Sequence, residues 1–311
     1  MRVFRGLDEL PPFHRPVVTI GTFDGVHIGH RAIIQQIIAK AREVNGESIL
    51  VTFEPHPRMV IGVSEKPISL LQTLEEKIAA LQQLDIDNLV VVPFTKAFSE
   101  ISASDYIKDF LVRHFHPHTL VIGYDHRFGN QRNGDFNMLE RMKQEYHYIL
   151  EEIPMKEIEN SAVSSTRIRQ ALAAGDVQKA ALYLTRPYTL SGQVQQGAQI
   201  GRTLGFPTAN ILPDSEQKLI PAIGVYAVNV FHHGQSYQGM LNIGFRPTVT
   251  QSNQAAIEVH LFDFNQTIYG EHLQIEFMAR LRDEQKFASL EELTSQLASD
   301  REQAIRLLNK V

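Results

Sequence analysis

Apolar and polar positions follow two rhythms along the chain. In the first half, short β-branched runs alternate with segments where apolar residues return every three or four positions. Pro16-Val17-Val18-Thr19-Ile20 reads as a buried strand, while Ile33, Ile34, Ile37, Ile38 and Ala41 mark one face of a helix over 28–43. The same reading predicts strands at 48–53, 89–92, 119–123 and 148–153, and helices at 75–84, 102–115 and 136–146. Ser102 is the expected cap of the helix at 102–115. Apolar strands alternating with helices predict a parallel sheet covered on both faces.

After Leu184 the rhythm changes. Arg186-Pro187-Tyr188 is the expected boundary, because proline ends helices. Alternating, glycine-punctuated segments at 188–194, 224–231, 238–243, 256–262 and 273–281 predict an antiparallel barrel or sandwich. A helical pattern at 290–308 closes the chain. No internal repeat or low-complexity tract is present.

Length agrees with this division: at about 150 residues per domain, 311 residues suggest two. The expected halves are 1–186 and 187–311. The formal net charge of −5 gives no basic footprint for duplex nucleic acid or an acidic membrane, and both halves are mildly acidic. With no cysteine, disulfides, thiolate metal sites and cysteine nucleophiles are excluded. The start, Met1 to Gly6, lacks the apolar core of a signal peptide, and no run of 18 apolar residues exists. The expectation is a soluble cytoplasmic protein acting on small molecules, with no nucleic-acid or membrane partner, as a monomer or weak homo-oligomer.

Gly21-Thr22-Phe23-Asp24-Gly25-Val26-His27-Ile28-Gly29-His30 joins the first long strand to the first long helix. A glycine-rich turn entering a helix presents backbone amides to an anion. Gly21, Gly25 and Gly29 are expected to allow tight turning or close ligand approach. His27 and His30, three apart, can face one phosphate. A capped helix with two surface histidines is the plainer alternative. A metal pair fits less well, because no third ligand in an HExxH arrangement accompanies them.

In the second half, Gly192 to Arg202 is glycine-rich but contains no GxxxxGK[ST]. It is either a plain hairpin or a loop, including Gly197 and Gly201, whose amides track phosphates. In Pro207-Thr208-Ala209-Asn210 the chain should be extended, so Thr208 and Asn210 point the same way. Their hydroxyl and amide oxygen are modest Mg²⁺ ligands, or else part of a capped turn. In Ala256 to Phe262, Ile257, Val259 and Leu261 take the apolar face, and Glu258 and His260 share the other. Glu258 is either a solvated strand residue or a general base for a substrate hydroxyl.

His27-Ile28-Gly29-His30 matches the HxGH signature of the nucleotidyltransferase superfamily, and Ser164-Ser165-Thr166-Arg167-Ile168-Arg169 is similar to its ISSTxxR signature. Thr52-Phe53-Glu54-Pro55-His56-Pro57 and Gly123-Tyr124-Asp125-His126-Arg127-Phe128-Gly129 resemble the TFxPHP and GxDFRFG segments of bacterial bifunctional riboflavin kinase/FMN adenylyltransferases. His126 departs from that pattern, which has Phe there. In the second half, GFPTAN at 205–210, Pro221 to Tyr226, Asn242 to Thr248, Glu258 and Tyr269-Gly270 resemble that family's kinase domain in order.

The resemblance covers nearly the whole chain. It implies a Rossmann-like α/β nucleotidyltransferase domain, then a six-stranded antiparallel β-barrel kinase domain with a C-terminal helix. It further implies ATP as co-substrate, Mg²⁺, and riboflavin, FMN and FAD as substrates and products. Glu258, His27 and His30 would be catalytic, with Thr208 and Asn210 holding Mg²⁺–ATP beside Gly197 and Gly201. Gly21, Phe23, Asp24, Gly29, Ser164, Ser165, Thr166 and Arg169 would bind the adenylyl-transfer nucleotide, and Pro55, His56, Asp125 and Phe128 the flavin. The competing readings are a monofunctional adenylyltransferase, a catalytically silent flavin-binding protein, and a tRNA-charging enzyme. The last lacks a KMSKS-like lysine motif and a basic anticodon domain.

Overall fold

The rhythm of the first half becomes a six-stranded, wholly parallel sheet. The computed structural model describes residues 1–62, 68–123, 126–153, 163–197, 201, 204–245 and 255–309. By packing, the chain forms two units, Met1–Ser164 and Ser165–Val311.

In the first unit, β1 (Arg2–Arg5), β2 (Val17–Ile20), β3 (Ser48–Glu54), β4 (Asn88–Pro93), β5 (Thr119–Gly123) and β6 (Ile149–Ile153) lie in the order β1-β4-β3-β2-β5-β6. Successive side chains point to opposite faces. Ile49, Val51 and Phe53 therefore join one core, with Phe110 and Leu139, and Leu50 joins the other. That second core is covered by α1 (Ile28–Glu43) through Ile34, Ile37, Ile38 and Ala41. The helix α3 (Leu74–Gln82) is fixed at its start by a reciprocal capping box. Thr73 Oγ1 accepts from Glu76 N–H at 3.2 Å, and Glu76 Oε2 accepts from Thr73 N–H at 2.9 Å. A short helix α2 (Pro57–Ile61) follows β3.

The predicted helix at 102–115 is capped by Ser102, but Tyr106–Val112 has the wider π register between the turns Ala103–Asp105 and Arg113–Phe115. Tyr106, Phe110 and Leu111 there are all buried.

Strand order reverses at β2, which pairs with β3 on one side and β5 on the other. The loops after β2, β3 and β5 all leave the carboxyl edge at this switch point, where open α/β sheets bind ligands.

The second unit is a closed antiparallel barrel in the order β10-β11-β8-β7-β12-β9. Its strands are β7 (Tyr188–Gln195), β8 (Ala209–Pro213), β9 (Gly224–His232), β10 (Gln235–Phe245), β11 (Ala255–Leu261) and β12 (His272–Arg282). The C-terminal helix Leu290–Leu308 packs Ala304 and Leu308 on Ala227, Met240 and Phe262. A buried ion pair ties it to β12: Arg282 grips the Asp300 carboxylate through Nε at 3.0 Å and a terminal nitrogen at 2.7 Å.

The packing boundary falls before the helices Ser165–Ala173 and Val177–Leu184, whereas the proline signal lies at 187. These helices join the barrel because Ala222 N–H donates to Leu172 O at 2.9 Å and Arg280 reaches Ala174 O. No helix among the described residues is long and apolar enough to cross a membrane.

Candidate active sites

In the first unit, His27 is itself the N-cap of α1, with extended backbone (φ −76°, ψ 176°). Its Nδ1 accepts the N–H of His30 at 3.4 Å, so in the neutral ring the proton sits on Nε2. The two imidazoles stack with centroids 3.7 Å apart and planes 17° apart, and Phe23 meets His30 edge-on at 5.2 Å. The pair therefore stands as one unit at the positive end of a 16-residue helix.

Of the three glycines expected to shape this turn, only Gly25 takes a positive φ. Gly29 is buried within α1. A Cβ on Gly21 would come within 3.0 Å of the Phe23 ring. The left-handed positions belong instead to Phe23 (φ +46°) and Val26 (φ +41°), both buried. Such a conformation costs a β-branched residue on the order of 1–2 kcal/mol, held by the surroundings. The surroundings are visible. The Asp24 carboxylate, buried, accepts from Leu71 N–H at 3.0 Å and Gln72 N–H at 3.3 Å. Lys77, 5% exposed, donates through Nζ to Thr22 O at 2.8 Å and Thr52 Oγ1 at 3.3 Å. Burial pushes the Lys77 ammonium below its ordinary pKa, against the pull of Asp24 and Glu54. Burial also raises Glu54, opposed by Lys77. Asp24 thus anchors the loop, and Lys77 is an anchoring cation that sequence reasoning missed.

Pro55 is exposed, and His56 caps α2 by accepting Arg58 N–H at 3.2 Å. Phe128 is buried and stacks on Tyr106 at 4.9 Å, while His126 keeps a tilted ring contact with Phe128 at 5.7 Å. The histidine that replaces the expected Phe therefore remains in an aromatic contact. Asp125 lies outside the described residues. Ser164, exposed, precedes the helix Ser165–Ala173, whose first turns carry Ser165, Thr166 and the half-buried Arg169.

In the second unit the barrel register assembles the other site. Gln195 on β7 faces Asn210 on β8, Asn210 faces Glu258 on β11, and Glu258 faces Asn242 on β10. Directly opposed residues have Cβ atoms about 4.5–5.5 Å apart, so these four form a continuous polar row. Gln195 and Asn242 are the members that sequence reasoning did not single out as site residues.

The glycines after β7 lie on this row. A Cβ at Gly197 would sit 1.9 Å from the Asn210 amide, and one at Gly201 would meet Phe206 O at 2.3 Å and Thr208 Cγ2 at 3.6 Å. The Gly201 carbonyl also accepts from Leu204 N–H and Phe206 N–H. Gly197 is therefore laid against Asn210, and Gly201 against Phe206 and Thr208.

His260, two residues beyond Glu258, is buried and bonds through Nδ1 to Pro207 O at 2.7 Å. The carbonyl can only accept, so Nδ1 donates. Burial holds His260 below its ordinary pKa. It pins the start of β8 to β11. Beside it opens a cavity of about 680 Å³, lined by Phe206, Pro207, Tyr237, His260, Phe264 and Arg301 among others.

Comparison with known proteins follows the same division. The family model described as FAD synthetase matches residues 11–167, and the one described as riboflavin kinase matches 184–308. The bifunctional riboflavin kinase/FMN adenylyltransferase of Escherichia coli strain K12 is 38% identical over 303 residues, covering 96% of each chain. The Haemophilus influenzae protein of that name is 39% identical, covering 94% of each chain, and the Bacillus subtilis one is 36% identical, covering 96% of this chain and 94% of its own. A solved structure titled a macrolide-efflux protein from Streptococcus pneumoniae superposes with a TM-score of 0.84 at 29% identity. It covers 96% of this chain and 97% of that one.

Proposed function

Since the chain belongs to the bifunctional riboflavin kinase/FMN adenylyltransferase family, we propose that the barrel half phosphorylates riboflavin to FMN and the parallel-sheet half converts FMN to FAD. The catalytic halves are taken as 1–186 and 187–311.

The kinase reading rests on one observation above all: Asn210 opposite Glu258, with Gly197 against the Asn210 amide. Glu258 accepts the proton of the riboflavin 5′-hydroxyl as that oxygen attacks the γ-phosphorus of ATP. ADP leaves with the bonding pair, and the proton remains on Glu258. The Thr208 hydroxyl and Asn210 amide oxygen are hard donors, and Gly197, lacking a Cβ, lets backbone approach the Asn210 amide closely. That donor set and cradle fit Mg²⁺, which Thr208 and Asn210 would hold. When bound, the ion neutralises phosphate charge. Gly197 and Gly201 bring backbone to the phosphates. The cavity beside His260 is lined by Pro207, the residue before Thr208, and is within the size range of small-ligand pockets, so we assign it to the adenine.

In the adenylyl half, an oxygen of the FMN phosphate attacks the α-phosphorus of ATP, and pyrophosphate departs. A phosphate monoester with a second pKa near 6 is largely dianionic at neutral pH, so no strong base is needed. His27 and His30 stabilise the charge that builds on the phosphates, helped by the N-terminus of α1. Gly21, Phe23, Asp24 and Gly29 shape the turn that receives the nucleotide. Ser164, Ser165, Thr166 and Arg169 are assigned to ATP phosphates only on the strength of the signature they resemble, the last three lying in the unit that holds the barrel. Pro55, His56, Asp125 and Phe128 are assigned to the flavin, with the Phe128–Tyr106 stack as its aromatic support.

The test is a chromatographic time course of riboflavin with Mg²⁺ and ATP. FMN should appear before FAD, with ADP released first and pyrophosphate after. FMN without FAD, or FAD only from supplied FMN, would contradict a two-step enzyme.

A further inference from the structure

Away from the polar row, the β9–β10 hairpin closes through a two-residue turn, His233-Gly234, with φ of +47° and +77°. Two positive φ angles mark the type I′ turn, whose preferred first residue is Asn, Asp or Gly. A histidine there is a costly choice for the turn alone. The turn sets the His233 ring beside His232, the last residue of β9, with centroids 4.3 Å apart.

A third group meets them. Glu271 immediately precedes β12, and its Oε2 lies 3.2 Å from His233 Nε2 and in hydrogen-bond contact with His232 Nε2. The donor atoms of all three residues lie within 4.8 Å of one another. Four ligands at 2.0–2.1 Å around a tetrahedral ion are about 3.3 Å apart, so a small opening of the cluster admits one.

Two of the ligands are held in place. His232 is only 6% exposed, with Phe264 edge-on at 6.1 Å. The backbone of Glu271 is tied on both sides: its N–H donates to Ile268 O at 3.1 Å, and its carbonyl accepts from Val194 N–H at 2.9 Å. The third, His233, is 78% exposed and opens the site to solvent. The beginning of β12 is separated from β11 by β7 and β8, three strand spacings or about 14 Å. None of the three residues belongs to the proposed phosphoryl-transfer set.

We propose that His232, His233 and Glu271 form a Zn²⁺ site that staples the β9–β10 turn to the entrance of β12. Two imidazoles and one carboxylate are a zinc donor set, and nitrogen ligands select zinc over Mg²⁺. The exposed side leaves a fourth position for water. The ion crosslinks segments about forty residues apart in sequence, so it stabilises the barrel rather than entering the reaction.

The experiment is a calorimetric Zn²⁺ titration of untagged, chelator-stripped full-length protein in millimolar Mg²⁺, with Co²⁺ absorption as a second probe. One equivalent should bind at micromolar concentration, give tetrahedral Co²⁺ bands and raise Tm. His233→Asn should weaken binding at least tenfold and abolish the Tm shift. That variant keeps the I′ turn, since Asn-Gly is its preferred pair, so both flavin activities should persist. Glu271→Gln should weaken binding similarly. No bound equivalent, or one that survives in both variants, would overturn the assignment. An equivalent lost instead in His30→Ala would also overturn it, by moving the ion to α1.

Discussion

Asn210 and Glu258 stand directly opposite one another on neighbouring antiparallel strands, and the backbone of Gly197 lies against the Asn210 amide. An amide and a carboxylate are thus fixed side by side by strand register, with Gly197 packed against the amide.

That contact gives the first prediction. Gly197→Ala places a methyl 1.9 Å from the Asn210 amide, a clash relieved by moving either the Asn210 side chain or the backbone at 197. A displacement of about 1 Å at a positioned group costs up to about 100-fold in rate. Riboflavin phosphorylation should fall by 10- to 100-fold, while adenylylation of supplied FMN stays within about twofold. Separate steady-state assays of the two steps check this.

His260 predicts a pH effect. Its pKa lies below the ordinary 6.5 in the fold, mainly through burial. The unfolded chain therefore takes up the proton first as pH falls, and the neutral, Pro207-bonded form loses its advantage below 6.5. Barrel stability should decline from pH 6.5 downward. His260→Asn, which keeps an N–H donor without a titrating ring, should show a flatter decline in urea unfolding between pH 7.5 and 5.5. Parallel profiles for the two proteins would count against it.

Asp300 is fully buried against Arg282 and also accepts from Gln296 at 2.8 Å. Removing one partner of a buried pair strands the other charge and costs about 3–5 kcal/mol. Asp300→Ala should lower the denaturant midpoint of the barrel by a corresponding amount. Adenylylation of FMN at 25 °C should be retained.

Lys77 holds the turn that carries Asp24 and leads to His27, through the Thr22 carbonyl. Lys77→Met removes that donor and leaves Asp24 and Glu54 without their cation. FAD formation should drop at least tenfold through kcat, with FMN formation unchanged. A purely thermal effect, with full FAD-forming activity at 20 °C, would show that Lys77 only stabilises.

Much of this was legible in the sequence where one kind of signal was strong. The limits of α1 follow from Ile34, Ile37, Ile38 and Ala41 meeting every helical turn, and the central strands are unbroken apolar runs. The strand β1 escaped because Arg2 and Arg5 are exposed at a sheet edge and it has only four residues. The strand β8 escaped because it is short and ends in Pro213. Glycine spacing pointed to the turn before α1 but misplaced its strain, which falls on Phe23 and Val26, where packing overrides local preference. Asn242 beside Glu258 could not be seen, since the register of one strand against the next is not encoded in the spacing within either.

The division of labour is tested most directly by combining two variants, Glu258→Gln and His30→Ala, in one riboflavin-to-FAD assay. Alone, Glu258→Gln should make FAD only from supplied FMN, and His30→Ala should stop at FMN. Mixed, they should make FAD from riboflavin, because FMN released by one variant is substrate for the other. Loss of both activities in either folded variant, or no FAD from the mixture, would contradict two sites acting in sequence.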